Sequence, residues 1–315
     1  MSFSRSAIGL AAAIAIGLSL TTSGLLTGMV MTVWAAGKKI QGEASGCDWS
    51  MIGGMYSHLE NFSQEVGRSK KTSRLVERDL EAGLDLIEVG NQRFWAPAEQ
   101  SGEGSQVLVA YLVAEHNFAA SNSPELTVQP GDIVIDCGAH VGVFTKKALQ
   151  LGAEKVVAID PGALQGESFR RNLETEIEDG RVVLVPAGVW SEPGSMTLYM
   201  VTDNSGMGSL IEHPGTKQVE VPVTTIDILV EELRLPRVDF IKMDIEGAER
   251  EALAGARSTM ERFRPRLMID SYHRPDDMTV IPKLLKAAHE DYAGGPSGCE
   301  PQEGGNLAPH FAFYK

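Results

Sequence analysis

The stretch DIVIDCGAHVGVFT, from Asp132 to Thr145, constrains the fold more than any other in this chain. An apolar run with no polar alternation ends on an acid, Asp136, then passes through Gly138 and Gly142 into an apolar segment of helical character. A strand that is apolar on both faces has to be covered on both faces, which is the situation inside a parallel sheet and not at a solvated antiparallel edge. The turn signal Pro130–Gly131 just before it marks where that strand begins. The glycines permit positive φ and close backbone approach, as the chain needs when it leaves a strand and starts a helix beside a ligand.

The chain after this point repeats the same alternation. GVFTKKALQLGA reads as a helix, KVVAID as a strand ending on Asp160, GESFRRNLETEI as a helix and RVVLVPAGVW as a strand. GSMTLYMV and VEVPVTTID are extended, and the second runs into the helix DILVEELRL. VDFIKMDIEG, AEREALAGARSTMERF, RPRLMIDSYH, VIPKLLKAAHEDY and HFAFYK continue as strand, helix, strand, helix, strand. This order predicts a parallel-rich sheet with helices on both faces. Upstream the signal is weaker: SRLVERDLEAGLDLIEVG places Leu75, Val76, Leu80, Leu84 and Leu86 near helical spacing, and VLVAYLVAEHNF suits helix or strand.

The expected organisation is a hydrophobic segment over 1–40, a linker and accessory region over 41–124, and the main domain over 125–315. Ala7 to Ala36 contains no charged residue, and about 20 apolar residues suffice to cross a bilayer. The length favours a retained single membrane anchor; a cleaved export signal ending near WAA is the competing reading. A formal net charge of −14, with no basic cluster, opposes a phosphate backbone and excludes nucleic acid as the expected partner. Cys137 reads as a small buried thiol, Cys47 and Cys299 are able to pair in an exported chain, and without any CxxC a zinc site is not expected.

In open α/β sheets ligands sit outside the carboxyl ends of the strands, where the distinctive residues of this chain collect. Asp136, Gly138, His140 and Gly142 follow one strand, and Asp160 ends the next, placed to accept hydrogen bonds from a ribose. A dinucleotide site wants G-x-G-x-x-G and a pyrophosphate on the helix N-terminus. The loop here, GAHVG, lacks that spacing, and its acids suit a cation. S-adenosylmethionine, with a sulfonium and an ammonium group, meets the requirement. Lys242 and Asp244 then alternate at the end of a buried strand, an arrangement that is costly unless the charges are paired. Glu246 and Glu249 follow, and Glu249 also suits a helix N-terminus. His273, beside Tyr272 in DSYHRP, is a candidate general base for a hydroxyl. Asp244, Asp270 and His273 are the ligands available were a divalent metal to assist, but no dense ligand cluster is visible and no metal is expected.

The segments VIDCGAHVGVFT, VVAIDP, VTTIDIL, VDFIKMDIEGAEREALAGA and YHRPDD together resemble the FkbM family of S-adenosylmethionine-dependent methyltransferases. The resemblance implies a class I methyltransferase (Rossmann-like) fold, with a seven-stranded, mostly parallel sheet whose last strand is antiparallel. It implies donor binding at Asp136, Gly138 and Asp160, methyl transfer to a hydroxyl oxygen, and a place for Asp244 beside donor and acceptor. The residues themselves add His140 and Gly142 to the donor loop and Lys242 and His273, with Asp244 the alternative base, to the catalytic candidates. A small-molecule or glycan acceptor is expected. His140 and Asp160 stand where the family usually has Asn and Glu, substitutions that keep hydrogen-bonding ability. DNSGMGSL, 203–210, resembles the family's variable acceptor-side loop. Since the donor is made in the cytosol, the catalytic domain of an anchored protein is expected to face the cytoplasm. A nicotinamide-dependent oxidoreductase and a catalytically silent, membrane-tethered binding protein remain the rival classes, and the oligomeric state is open.

Overall fold

The computed structural model describes residues 24–44, 47–98, 104–200, 208–212, 216–296, 298–301, 307–308 and 311–315. The first sheet, antiparallel, is built from β1 (Ser73–Asp79), β2 (Leu84–Val89) and β3 (Gln92–Pro97). The main domain begins with β4 (Ile133–Cys137), β5 (Lys155–Ile159) and β6 (Val182–Val185). A small four-stranded sheet follows, made of β7 (Gly188–Val189), β8 (Gly194–Met200), β9 (Gly208–Ser209) and β10 (Lys217–Thr224). The chain then forms β11 (Phe240–Met243), β12 (Arg266–Asp270), β13 (Gly294–Pro296), a short pair β14 (Glu300–Pro301) and β15 (Leu307–Ala308), and β16 (Phe311–Tyr314).

The central sheet has seven strands in the order β13-β16-β12-β11-β4-β5-β6. Pairings from β12 through β6 are parallel, and β16 runs antiparallel to both its neighbours. Alternation along each strand divides the core in two. Ile133, Ile135 and Cys137 of β4, with Ile241 and Met243 of β11, pack under the helices Ile226–Glu232, Glu249–Ala254, Arg257–Phe263 and Asp277–Ala288. Val134, Phe240, Met268, Phe311 and Phe313 pack on the other face with Phe144, Phe169 and Leu173. Both faces are therefore dry, which is why these strands carry uninterrupted apolar runs.

The hairpin over 73–89 corrects the helical reading of SRLVERDLEAGLDLIEVG. Leu75, Val76 and Leu80 are exposed, so their near-helical spacing carried no burial information. The alternation Leu84–Asp85–Leu86–Ile87 and the Arg78–Asp85 cross-strand pair at 2.6 Å hold the segment extended. Residues 104–122, ambiguous by sequence, form a helix whose Val109, Ala110 and Val113 pack on Ile87 and Phe94 of this sheet and on Val141 and Val143 after β4. Asn172 locks the same joint: its Oδ1 accepts from Trp95 N at 2.6 Å, and its Nδ2 donates to the Trp95 and Val141 carbonyls, both at 2.8 Å.

The segment expected as a tether is ordered too. A helix over Trp49–Lys71 starts at Asp48, whose side chain accepts from Met51 N at 2.8 Å, and ends on Arg68, Lys70 and Lys71, charges that suit a helix C-terminus. Before it, a helix over Gly24–Ile40 buries Ala35 against Ile52, Met55 and Leu307. This is the described part of the expected membrane anchor: it closes on Lys38 and Lys39 and lays one side on the protein. Among the described residues no helix is long and apolar enough to cross a membrane, and residues 1–23 lie outside them. Cys47 and Cys299 form a disulfide across 252 residues of sequence, tying these helices to the β14 segment; Cys137 is free and buried.

Candidate active site

Strand register assembles the site. Asp136 of β4, Lys242 of β11 and Met268 of β12 lie side by side in one row, on one face of the sheet. Two residues further along each strand come Gly138, Asp244 and Asp270, the next row on that face. The acids are thus stacked at the carboxyl ends of adjacent parallel strands, where an α/β sheet opens to its ligand.

Gly138 has φ +79°, and a Cβ there would stand 1.9 Å from the Asp244 carbonyl oxygen. No other residue lets the two strand ends approach so closely. Gly142, at φ +89°, is needed for packing: a Cβ would meet Leu173 at 2.7 Å and Phe169 at 3.0 Å. His140 and Glu246 are left-handed at φ 49° and 54°, a conformation uncommon for side-chain-bearing residues that gathers at ligand sites.

Between these elements lies a solvent-open cleft with a cavity of about 100 Å³. Gly138, His140, Asp160 and Asp244 line it, with Gly162, Gln165, Glu246 and the apolar Leu112, Leu198 and Leu210. Lys242 lines an adjoining recess with Gly138, His140 and Asp244. Asp136, Gly142 and His273 line neither cavity. Asp136 is completely buried beneath the loop: its Oδ2 accepts from Thr145 Oγ1 at 2.6 Å, and its Oδ1 is 3.8 Å from Lys242 Nζ. It anchors the loop instead of facing the cavity.

Asp160 holds its oxygens in a backbone cradle. Oδ2 accepts from His140 N and Oδ1 from Gly162 N, each at 2.8 Å. Burial pushes its carboxyl up to about 6, against the pull of those two N–H groups. Burial, followed by the Lys242 charge, brings the His140 imidazole down to about 4, so it is neutral.

Lys242 donates to the Gly138 carbonyl at 2.9 Å and lies 3.6 Å from Asp244 Oδ2. Burial alone would lower its pKa, but Asp244 and then Asp136 outweigh it and hold the ammonium above the ordinary lysine range. Burial, and next the Asp244 charge, push Glu246 up to about 7. His273 meets the buried Glu249 through Nδ1 to Oε1 at 2.8 Å, while its Nε2 lies 3.5 Å from Glu246 and 3.9 Å from Asp244. Burial works against its charge, but Glu249 reverses the balance and carries the imidazole up to about 10. In that state it is an acid, not a base.

The sequence did not single out Gln165, Leu112 or Leu198: each lies more than about 20 residues from the glycine loop, and nothing in its local pattern marks a cavity wall. The Glu249–His273 pair spans 24 residues and was equally invisible as a pair.

The curated Methyltransferase 1 of Beauveria bassiana (strain ARSEF 2860) is 29% identical over 143 residues, covering 39% of this chain and 57% of that protein. The match therefore spans little more than half of that relative's length. Methyltransferase sdnD of Sordaria araneosa is 21% identical over 202 residues, covering 54% of this chain and 75% of that protein. Among solved structures, a methyltransferase FkbM from Methylobacillus flagellatus KT aligns with a TM-score of 0.43 at 17% identity, covering 82% of this chain and 59% of that one. The family model described as Methyltransferase FkbM domain matches residues 136–292, the interval from the acid ending β4 to the residues just before β13. Residues 136–292 of this chain belong to the FkbM methyltransferase domain family.

Proposed function

We propose that the protein is an S-adenosylmethionine-dependent methyltransferase that methylates a hydroxyl oxygen of a small-molecule or glycan acceptor. The observation that carries this reading is the charge of the cavity: Asp160, Asp244 and Glu246 line it, and no Lys or Arg does so among the described residues. Such a wall suits a sulfonium and an ammonium group and repels a pyrophosphate, which argues against the nicotinamide reading together with the absent G-x-G-x-x-G. Asp160 is pre-set by two backbone donors to receive ribose hydroxyls, in keeping with its place at the end of the second strand.

The donor supplies a methyl group already activated on sulfur, so this chain's task is alignment and exclusion of water. Gly138 lets the strand ends close, Lys242 fixes the Gly138 carbonyl and one oxygen of Asp244, and Asp244 faces the cavity where an acceptor would meet the donor. DNSGMGSL falls largely outside the described residues, except for Gly208, Ser209 and Leu210, of which Gly208 and Leu210 line the cavity. That keeps the loop in the proposal as the acceptor side.

Calorimetric titration of S-adenosylhomocysteine into the full chain, beside Asp160→Ala, tests the reading. Micromolar binding in the parent and its loss in the variant support it. A folded parent that ignores S-adenosylhomocysteine and binds NAD would overturn it, and a folded parent that binds neither would favour the silent binding protein.

Donor supply places the domain on the cytosolic side, whereas a Cys47–Cys299 disulfide persists in oxidising compartments. The thiol state of freshly isolated protein decides between them: a reduced pair supports the cytosolic placement and an oxidised pair overturns it.

A further inference from the structure

We propose that Asp244, Asp270 and His273 form a site for one divalent cation, of the Mg²⁺ or Mn²⁺ type, behind the cavity wall to which Asp244 contributes. The role given to that cation below rests on the methyltransferase reading; the site itself rests on geometry. One ligand atom from each of the three residues lies within 4.8 Å of the others. Ligands held about 2.1 Å from an octahedral cation are separated by about 3 Å when adjacent and about 4.2 Å when opposed. A small closing motion therefore brings the three onto one ion.

The second observation concerns His273. Its side chain is only 7% exposed, and its Nδ1 is engaged by Glu249 Oε1 at 2.8 Å. The remaining nitrogen, Nε2, is buried without a hydrogen bond and is directed at the acids, 3.9 Å from Asp244 Oδ1 and 3.5 Å from Glu246 Oε2; a cation taken up there displaces the Nε2 proton to solvent. A carboxylate that takes one imidazole N–H and turns the other nitrogen toward a cluster of oxygens is the support that metal-binding histidines commonly have. Glu249 is itself fixed, since Oε1 also accepts from Ile245 N at 3.1 Å.

Charge points the same way. Asp244, Glu246, Asp270 and Glu249 surround the position, and the nearby cation, Lys242, is shared with Asp136. Lys242 lies against Asp244 Oδ2, while Oδ1 is the oxygen turned to His273. Two carboxylates and one imidazole select a hard cation, with Mn²⁺ favoured over Ca²⁺ by the nitrogen. Of the three residues Asp244 lines the cavity, so a cation held there would meet the cavity on the Asp244 side.

In the reaction, the acceptor oxygen would bind the cation and release its proton to solvent. That oxygen then forms a bond to the methyl carbon as the sulfur–carbon bond breaks, and the pair of electrons stays on sulfur as a neutral thioether. With the hydroxyl acidified by the cation, no side-chain base is required.

The test uses purified full-length chain, stripped with chelator and titrated with Mn²⁺ alone, with free Mn²⁺ followed by electron paramagnetic resonance. One tight equivalent is expected, displaced by millimolar Mg²⁺. Asp270→Asn should weaken it at least tenfold, and Glu249→Gln, which removes the charge behind the imidazole while keeping an acceptor for Ile245 N, by about 10–100-fold. Cooperative melting of each variant checks folding, and either variant alone suffices. No bound Mn²⁺, or binding unchanged in a folded variant, overturns the site. S-adenosylhomocysteine titrated in chelator separates the two ideas: donor binding without Mn²⁺ binding sinks the cation alone, and Mn²⁺ binding without donor binding sinks the donor reading and leaves the site.

Discussion

Gly138→Ala is the substitution whose effect follows most directly from the coordinates. Two costs add. The residue sits at φ +79°, where an alanine pays about 1–2 kcal/mol because its Cβ crowds the following carbonyl. That Cβ would also stand 1.9 Å from the Asp244 carbonyl oxygen, whereas a carbon–oxygen contact needs about 3.3 Å. The end of β11 would have to retreat by about 1.4 Å, and overpacking of this kind costs about 1–3 kcal/mol. The expected loss is about 2–5 kcal/mol. Gly131→Ala supplies the control, since Gly131 has φ +87° with nothing within 4 Å of the added atom, and should lose only the conformational part. Urea unfolding of parent and both variants, with m-values compared, measures the difference. The folded fraction of Gly138→Ala should also lose donor affinity, because the retreat carries Asp244 and the Lys242 bond to the Gly138 carbonyl with it. If Gly138→Ala costs no more than Gly131→Ala, the close approach of β4 and β11 is not what that glycine provides.

The remaining predictions concern the donor cradle, the accessory sheet and the disulfide. With its carboxyl raised to about 6, Asp160 should lose its acceptor oxygens as pH falls. Affinity for S-adenosylhomocysteine should drop about tenfold per pH unit below that point and stay flat above it; an identical profile in Asp160→Asn would assign the titration elsewhere. Asn172→Ala removes the bridge between Trp95 and Val141 and should cost about 1–3 kcal/mol in urea unfolding, with amide exchange rising first in β3; unchanged exchange there would show the joint is held by packing alone. Reducing Cys47–Cys299 should lower stability by about 2–5 kcal/mol, given the length of chain it closes, and a melting temperature insensitive to reductant would show the pair is not formed in solution.

The parts of this molecule legible in its sequence are those whose meaning is local. Asp136 and Asp160 announce strand ends because each follows an uninterrupted apolar run, and the runs exist because both sheet faces are covered. The hairpin over 73–89 was obscured by apolar residues that face solvent, so their spacing described nothing about packing. Asp136 and Asp160 look alike in sequence, yet one is sealed under the loop and the other opens to the cavity; only the register of β4, β5 and β11 separates them. Glu249 and His273 lie on different elements, and nothing before the fold forms says that they touch.

The position of β16 bears on how the molecule is made. It enters between β12 and β13, antiparallel to both, so the sheet stays split until residues 311–314 have left the ribosome. Until then β12 presents an open edge at Asp270, whose sheet partner is Phe311. A nascent chain thus carries a gap beside the candidate site, a docking place for any stray strand and a natural point of chaperone dependence. Translation stalled before β16 should yield a protein with the loop after β4 formed and the Asp270 side of the candidate site unfinished.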